Sequence, residues 1–257
     1  MDVVQQYTYG SLVAYARDRK QHKNCQYTSS TRSGGSFSQT ENFEEAMGYA
    51  INGWDLALEQ YKIEDGTLVG GITKLTPSLA GCLPHVQNHI MGFPEEMYNL
   101  YDNREYNLPT LDIVVNLAYN CGIESQDALD FGKSIVNYIN TMASNYNIRL
   151  TGIFGQRLDN HNMYDLVTLK DFDNALVINN IAFAFHPSFF RRLWFAVFEG
   201  KEQWEEGYGH PIRDTRKIAR EYLGGGKSDK TVYFKNLADI ERYKFEPDNI
   251  EYFTETF

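Results

Sequence analysis

Residues 111–154 read LDIVVNLAYNCGIESQDALDFGKSIVNYINTMASNYNIRLTGIF, and their reading decides the fold. The opening LDIVVNL is an apolar run rich in β-branched side chains, the pattern of a strand covered on both faces. A short loop, AYNCGIE, follows. Ser125 then stands as the cap of a helix, with Asp127 in its first turn, where a carboxylate faces the positive end of the helix dipole. Ala128, Phe131, Ile135, Ile139 and Met142 recur at helical spacing, so one stripe of 125–144 turns to a core. After SNYN the chain runs IRLTGIF at 148–154, a second strand. Two apolar strands joined by one amphipathic helix form a β-α-β unit, which requires parallel strands and a right-handed crossover.

Working outward, YDLVTLK at 164–170 is a further strand, 173–185 an apolar helix, and PSFFRRLWFAVFE at 187–199 a new helix with Pro at its first position. In that helix Arg191 and Arg192 are adjacent and point about 100° apart. Phe189, Leu193, Phe195 and Phe198 crowd the rest of its surface, so at least one arginine must lie against rings or a carboxylate. His186 and His210 each precede proline, which marks element boundaries. TVYFKNL from Thr231 is a strand. Upstream, Asn42 with Glu45 reads as a capping box, and Phe43, Ala46, Met47, Ala50 and Trp54 line one face of the helix that follows. Residues 76–98 carry Pro77, Pro84, Pro94, Gly81 and Gly92, and read as irregular chain with at most one helical turn. Residues 24–40 are a Ser/Thr/Gly loop. Residues 1–35 hold five bases against two acids and read as a solvated, partly mobile segment.

The chain has 257 residues and a formal net charge of −10, with 42% hydrophobic and 23% charged residues. Those values describe a folded globular protein. An acidic balance disfavours duplex nucleic acid, which needs a clustered basic footprint. No stretch approaches 18 consecutive apolar residues, so no membrane span is expected, and MDVVQQYTYGSLVAYARDRK is no secretory leader. Three separated cysteines, Cys25, Cys82 and Cys121, make no disulfide framework and suit a reducing cytoplasm. The expected organisation is an N-terminal segment and loop at 1–40, then a single α/β domain at 41–257. Its core is 111–154, and an acidic, aromatic tail spans 239–257.

No motif fixes a chemistry. GGGKS at 224–228 has Glu221 where a P-loop needs its first glycine, and a strand rather than a helix follows, so it reads as a turn. Cys82, His85 and His89 have the spacing of weak zinc candidates. Val86 stands where a zinc protease needs glutamate, and no second Cys/His pair completes a tetrahedral site. The acidic pairs Glu44–Glu45, Glu95–Glu96, Asp171–Asp173 and Glu205–Glu206 read as solvated faces. No catalytic residue, metal or cofactor is assigned. The loop after the first strand is the place to look for a site, because open α/β sheets bind ligands at the carboxyl ends of their strands.

At that loop LDIVVNLAYNCGIES resembles the first strand of a von Willebrand factor A-type domain, a family that holds a divalent cation with D-x-S-x-S. The matching positions are Asn116, Ala118 and Asn120, so the charged ligand has become an amide and the first hydroxyl a methyl. The resemblance therefore implies a degenerate, metal-free module acting through its surface. Four pieces also resemble an uncharacterised family of tailed-bacteriophage proteins: ENFEEAMGYAINGW (41–54), LAGCLPHVQNHIMGFPEEM (79–97), the β-α-β unit, and HPSFFRRLWFAVFEG (186–200) with GYGHP after it. That resemblance implies a phage protein in the host cytoplasm.

The reading is an α/β protein with a small central, at least partly parallel sheet flanked by helices, and an irregular N-terminal half packed on it. Its expected role is non-enzymatic: binding a host or phage protein through Asn116, Tyr119, Asn120 and Glu124 at the loop, and Phe253 and Phe257 in the tail. The alternatives are a virion or assembly component, and an enzyme of nucleic-acid or nucleotide metabolism whose site the sequence does not display. The tail carries a net charge of −4 with interleaved rings, which suits either a closing element on the domain's own core or docking on a basic groove.

Overall fold

The run from Thr110 to Asn116 is a strand, buried at every position after its first. It pairs in parallel with Asn147–Arg157, in a register from Leu111↔Ile148 to Asn116↔Ile153. The connecting helix spans Ser125–Met142 and buries Ala128, Phe131, Ile135 and Ile139, so the β-α-β unit forms as its periodicity demands. Its cap lies one residue before the expected Ser125. The backbone N–H of Glu124 donates to Asp127 Oδ2 at 3.2 Å, which satisfies a terminal donor and puts a carboxylate in the first turn.

The computed structural model describes residues 2–19, 37–57, 74–78, 83–84, 97–101, 108–119, 123–143, 145–172, 178–201, 209–222, 228–234 and 254–256. In chain order the elements are β1 (Asp2–Thr8), α1 (Tyr9–Arg19), α2 (Phe43–Asn52), β2 (Lys74–Ser78), β3 (Leu83–Pro84), β4 (Met97–Tyr101), β5 (Thr110–Asn116), α3 (Ser125–Met142), β6 (Asn147–Arg157), β7 (Asn162–Lys170) and α4 (Ile178–Ala184). A π-helical segment (Phe189–Trp194) then runs into α5 (Phe195–Glu199), followed by β8 (His210–Pro211), α6 (Arg216–Tyr222), β9 (Lys230–Phe234) and β10 (Thr254–Thr256).

The main sheet has the order β1-β7-β6-β5-β9-β10, with β8 pairing to β6. Along that path β1·β7, β6·β5 and β5·β9 are parallel, while β7·β6 and β9·β10 are antiparallel. The sheet is thus mixed and mostly parallel, flanked by helices. One face packs against α1 to α5 through an extended core of Leu12, Phe131, Ile135, Phe154, Phe183, Trp194 and their neighbours. The other face carries a smaller cluster with α6: Val114, Ile153, Leu166, Ile212, Ile218 and Tyr233. Gly152 in β6 matters to this layering, because a Cβ there would lie 2.4 Å from Cδ1 of Leu117, which follows β5 and still bonds the Ile153 carbonyl of β6.

Two expectations for the N-terminal half need correction. Residues 2–19 are not a solvated terminus: β1 is an edge strand parallel to β7, and α1 buries Leu12 and Ala16. The region around 76–98 is not simply irregular either. Strands β2, β4 and β3 form a separate antiparallel sheet with β4 in the centre. Pro77 and Pro84 sit within β2 and β3, and both of those strands are at an edge, where a missing N–H costs no ladder bond. Phe43, Ala46, Met47 and Ala50 of α2 are buried, and Asn42 Oδ1 accepts from the Glu45 N–H at 2.9 Å, as the capping box requires. The Glu45 carboxylate accepts from the N–H of Glu41 rather than that of Asn42. At the far edge β10 pairs with β9, so the end of the tail adds a strand to the domain's own sheet. Of the GGGKS turn, 224–227 lie outside the described residues.

Candidate functional site at the carboxyl end of the central strand

The loop that leaves β5 is held from inside. Asn116 is fully buried, and its Nδ2 donates to the carbonyls of Ile212 (3.1 Å) and Arg213 (3.0 Å). Its Oδ1 accepts from the Ala118 N–H at 3.2 Å. All the polar groups of the amide are therefore committed, and the 212–215 segment is tied across the strand end. A second tie comes from β9: the Tyr233 hydroxyl accepts from the Thr215 N–H (3.3 Å) and bonds Thr215 Oγ1 (3.0 Å). Beyond them, Asp214 is exposed and pairs with Arg216, which holds its carboxyl below the usual range.

Tyr119 turns the other way, into the helical layer. It is buried between Phe190 (centroids 4.5 Å apart) and Phe37 (5.9 Å). Its hydroxyl has no hydrogen-bond partner among the described residues. Burial pushes the phenol pKa up, with the nearby Arg191 charge opposing. Glu124 is exposed at the start of α3. Asn120, Phe253 and Phe257, like Cys82, His85 and His89, lie outside the described residues. Asn116 and Tyr119 therefore converge on the strand end from opposite faces, and Glu124 lies on the rim.

The helix that follows His186-Pro187 supplies the rest of this layer. The wider turn of the π-helical segment lets FFRRLW place Phe189, Phe190 and Trp194 against Phe154 of β6, at centroid distances of 5.9, 6.1 and 5.1 Å. The two arginines part as expected. Arg192 is 2% exposed and clamps the chain before α2: its Nη2 donates to Ser38 Oγ (3.2 Å) and to the carbonyls of Thr40 (3.0 Å) and Glu41 (3.2 Å). Arg191 lies over three rings, Phe37 (5.1 Å), Phe195 (5.3 Å) and Phe190 (5.7 Å). His186 is buried beside Trp54, and its Nδ1 bonds Ser188 Oγ at 2.7 Å. Burial lowers its pKa from 6.5 to about 4, so the ring is neutral at physiological pH.

Sequence spacing could not bring out a third cluster. Asp165 of β7 is 1% exposed, forms an ion pair with Lys201 and accepts from Trp194 Nε1 at 2.8 Å. Burial pushes its carboxyl up and the lysine down, and their mutual attraction opposes both shifts. The pair is sealed between sheet and helix, and no motif links positions so far apart. Across β5 and β6, Arg149 donates to both carboxylate oxygens of Asp112 (2.6 and 2.8 Å), a two-pronged tie between neighbouring strands. No group of three or more His, Cys, Asp or Glu able to hold a metal occurs among the described residues. No helix among them is long and apolar enough to cross a membrane.

These features define a mixed α/β domain whose central strand ends in a loop pinned by internal hydrogen bonds. The chain belongs to the family described as a domain of unknown function, DUF7192, which matches residues 3–257. No curated protein and no solved structure matches it.

Proposed function

We propose that this protein works by binding another protein, rather than by catalysis, in a bacterial cell infected by a tailed phage. The observation that carries the reading is the commitment of Asn116. At the strand end where open α/β sheets hold ligands, its amide is spent on Ile212, Arg213 and Ala118. Its one oxygen, the atom that could meet a cation, accepts a backbone N–H instead. What remains for recognition is the rim of the loop, where Glu124 is exposed and Arg191 is part-exposed. The phage setting is supported by the four segments that resemble tailed-phage proteins. The likeness of the β5 loop to a degenerate von Willebrand A-type strand supports surface recognition without metal.

The test is site-specific photo-crosslinking in infected cells. A benzophenone side chain at Glu124 reports on the carboxyl-end rim. The same group at Asn145, exposed just before β6 at the opposite end of the sheet, is the control. One discrete adduct from position 124, absent from 145, is the expected result. Adducts only from 145, or none from either, would overturn the reading.

A further inference from the structure

Tyr119 and Arg191 share two neighbours. Phe37 and Phe190 each contact the Tyr119 ring and lie under the Arg191 guanidinium. Between them the two side chains present unspent hydrogen-bonding groups. The Tyr119 hydroxyl is buried with no partner among the described residues, an unfavourable state unless something satisfies it. Arg191 is held by rings alone: among the described residues it forms no hydrogen bond and no ion pair. Stacking occupies the faces of a guanidinium and leaves its edge, with five N–H donors, available. A guanidinium can only donate, and a phenol donates readily, so what joins them must accept. A water molecule could accept from both, but only an anion also balances the arginine charge. One cation among four aromatic rings suits a planar monoanion better than a doubly charged phosphate, which needs further cations for its charge.

We propose that Tyr119 and Arg191 form a receptor for a single carboxylate group at the carboxyl end of the central strand. This rests on the protein-binding reading above, since an acidic side chain of a protein partner is one source of that group. A free small acid is the other. The carboxylate takes in-plane N–H bonds from Arg191 and the O–H bond of Tyr119, with Phe37, Phe190 and Phe195 as walls.

The experiment is NMR titration of the full chain, following the Arg191 Nε–H resonance, which is assigned by its absence in Arg191→Gln. The probes are sodium acetate, a blocked peptide with one aspartate (acetyl-Gly-Asp-Gly-amide) and sodium phosphate, each at constant ionic strength. A saturable shift with acetate or the peptide is expected, weakened at least tenfold in Tyr119→Phe. That variant removes only an unpaired hydroxyl and folds normally. Saturation by the peptide assigns the carboxylate to a protein partner, and saturation by acetate alone assigns it to a small acid. No saturable response, a response to phosphate alone, or an unchanged response in Tyr119→Phe would overturn the proposal, and the first of these would mean that a water satisfies the hydroxyl. Crosslinking at Glu124 is scored without either residue, so an adduct there with no carboxylate response sinks this inference alone.

Discussion

Replacing Lys201 by methionine keeps most of the side-chain volume and removes the only cation beside Asp165 among the described residues. In the intact protein the carboxylate has two donors, the Lys201 ammonium and Trp194 Nε1, in a site where both charged partners are nearly inaccessible. Breaking a buried pair from one side leaves an uncompensated charge, which costs about 3–5 kcal/mol. A domain is stable by only about 5–15 kcal/mol, so the loss is a large part of the total. The variant has an escape: burial already pushes the Asp165 carboxyl up, and without Lys201 nothing but Trp194 opposes that push. The carboxyl then binds a proton in the folded state at a pH where the unfolded chain has lost it. A group whose folded pKa lies above its unfolded value stabilises most below the unfolded pKa and least above the folded one. The Lys201→Met deficit should therefore be largest near pH 7 and shrink as the pH falls toward 4. Urea unfolding followed by far-UV circular dichroism at pH 7 and pH 5 reads both quantities. The double variant Asp165→Asn/Lys201→Met, with no charge left, should recover part of the loss, a coupling that a double-mutant cycle isolates. Equal unfolding midpoints for Lys201→Met and the parent protein at pH 7, or a deficit that does not change with pH, would refute the reasoning.

Three further outcomes follow from other parts of the molecule. Ile135 of α3 is fully buried against the sheet, so Ile135→Asp should lose several kcal/mol and fail to give a cooperative melt; a normal melt would remove α3 from the core. His186 has a folded pKa of about 4 against 6.5 for a free ring, so its share of stability is intact above pH 6.5 and falls by about 3 kcal/mol as the pH drops to 4. Urea midpoints measured across that window should show the fall, and His186→Phe should flatten it. Arg192→Lys keeps the charge and loses the forked grip on Ser38, Thr40 and Glu41, for a loss of about 1–3 kcal/mol that differential scanning calorimetry will register.

What could be read from the sequence was local. The β-α-β unit at 111–154 announced itself because a doubly covered strand is continuously apolar and α3 repeats its core residues at helical spacing. The parting of Arg191 from Arg192 was legible for the same reason: adjacent residues on a helix cannot share a face. What escaped depends on pairing across long separations. Strand β1 carries Gln5 and Gln6 and is half covered, so it has no apolar run, and it exists only because β7 lies beside it. Strands β2 and β3 were hidden by Pro77 and Pro84, residues that argue against a strand until both prove to be at edges. At the candidate site, the place of the loop after β5 and its resemblance to a von Willebrand A-type strand pointed to Asn116 and Tyr119 but not to how they behave. Only three dimensions reveal that one amide is fully spent and one hydroxyl is not. The Asp165, Trp194 and Lys201 cluster left no trace in sequence, since each of those residues is unremarkable among its neighbours.

The pairing of β1 with β7 sets a clock on biosynthesis. Asp2 and its partner Asn162 are 160 positions apart, and every rung of that ladder spans a similar interval. At about 5–20 residues per second, a ribosome needs roughly 8 to 30 s to make the strand that β1 will join. For most of that time the backbone groups of residues 2–8 that β7 will pair are unmatched, in a segment long enough to pair with another nascent chain. Gln5 and Gln6 interrupt what would otherwise be a sticky Val-Val-x-x-Tyr edge. Changing both to valine should thus leave the finished fold nearly as stable while lowering the yield of soluble protein, and slowing translation should deepen that loss.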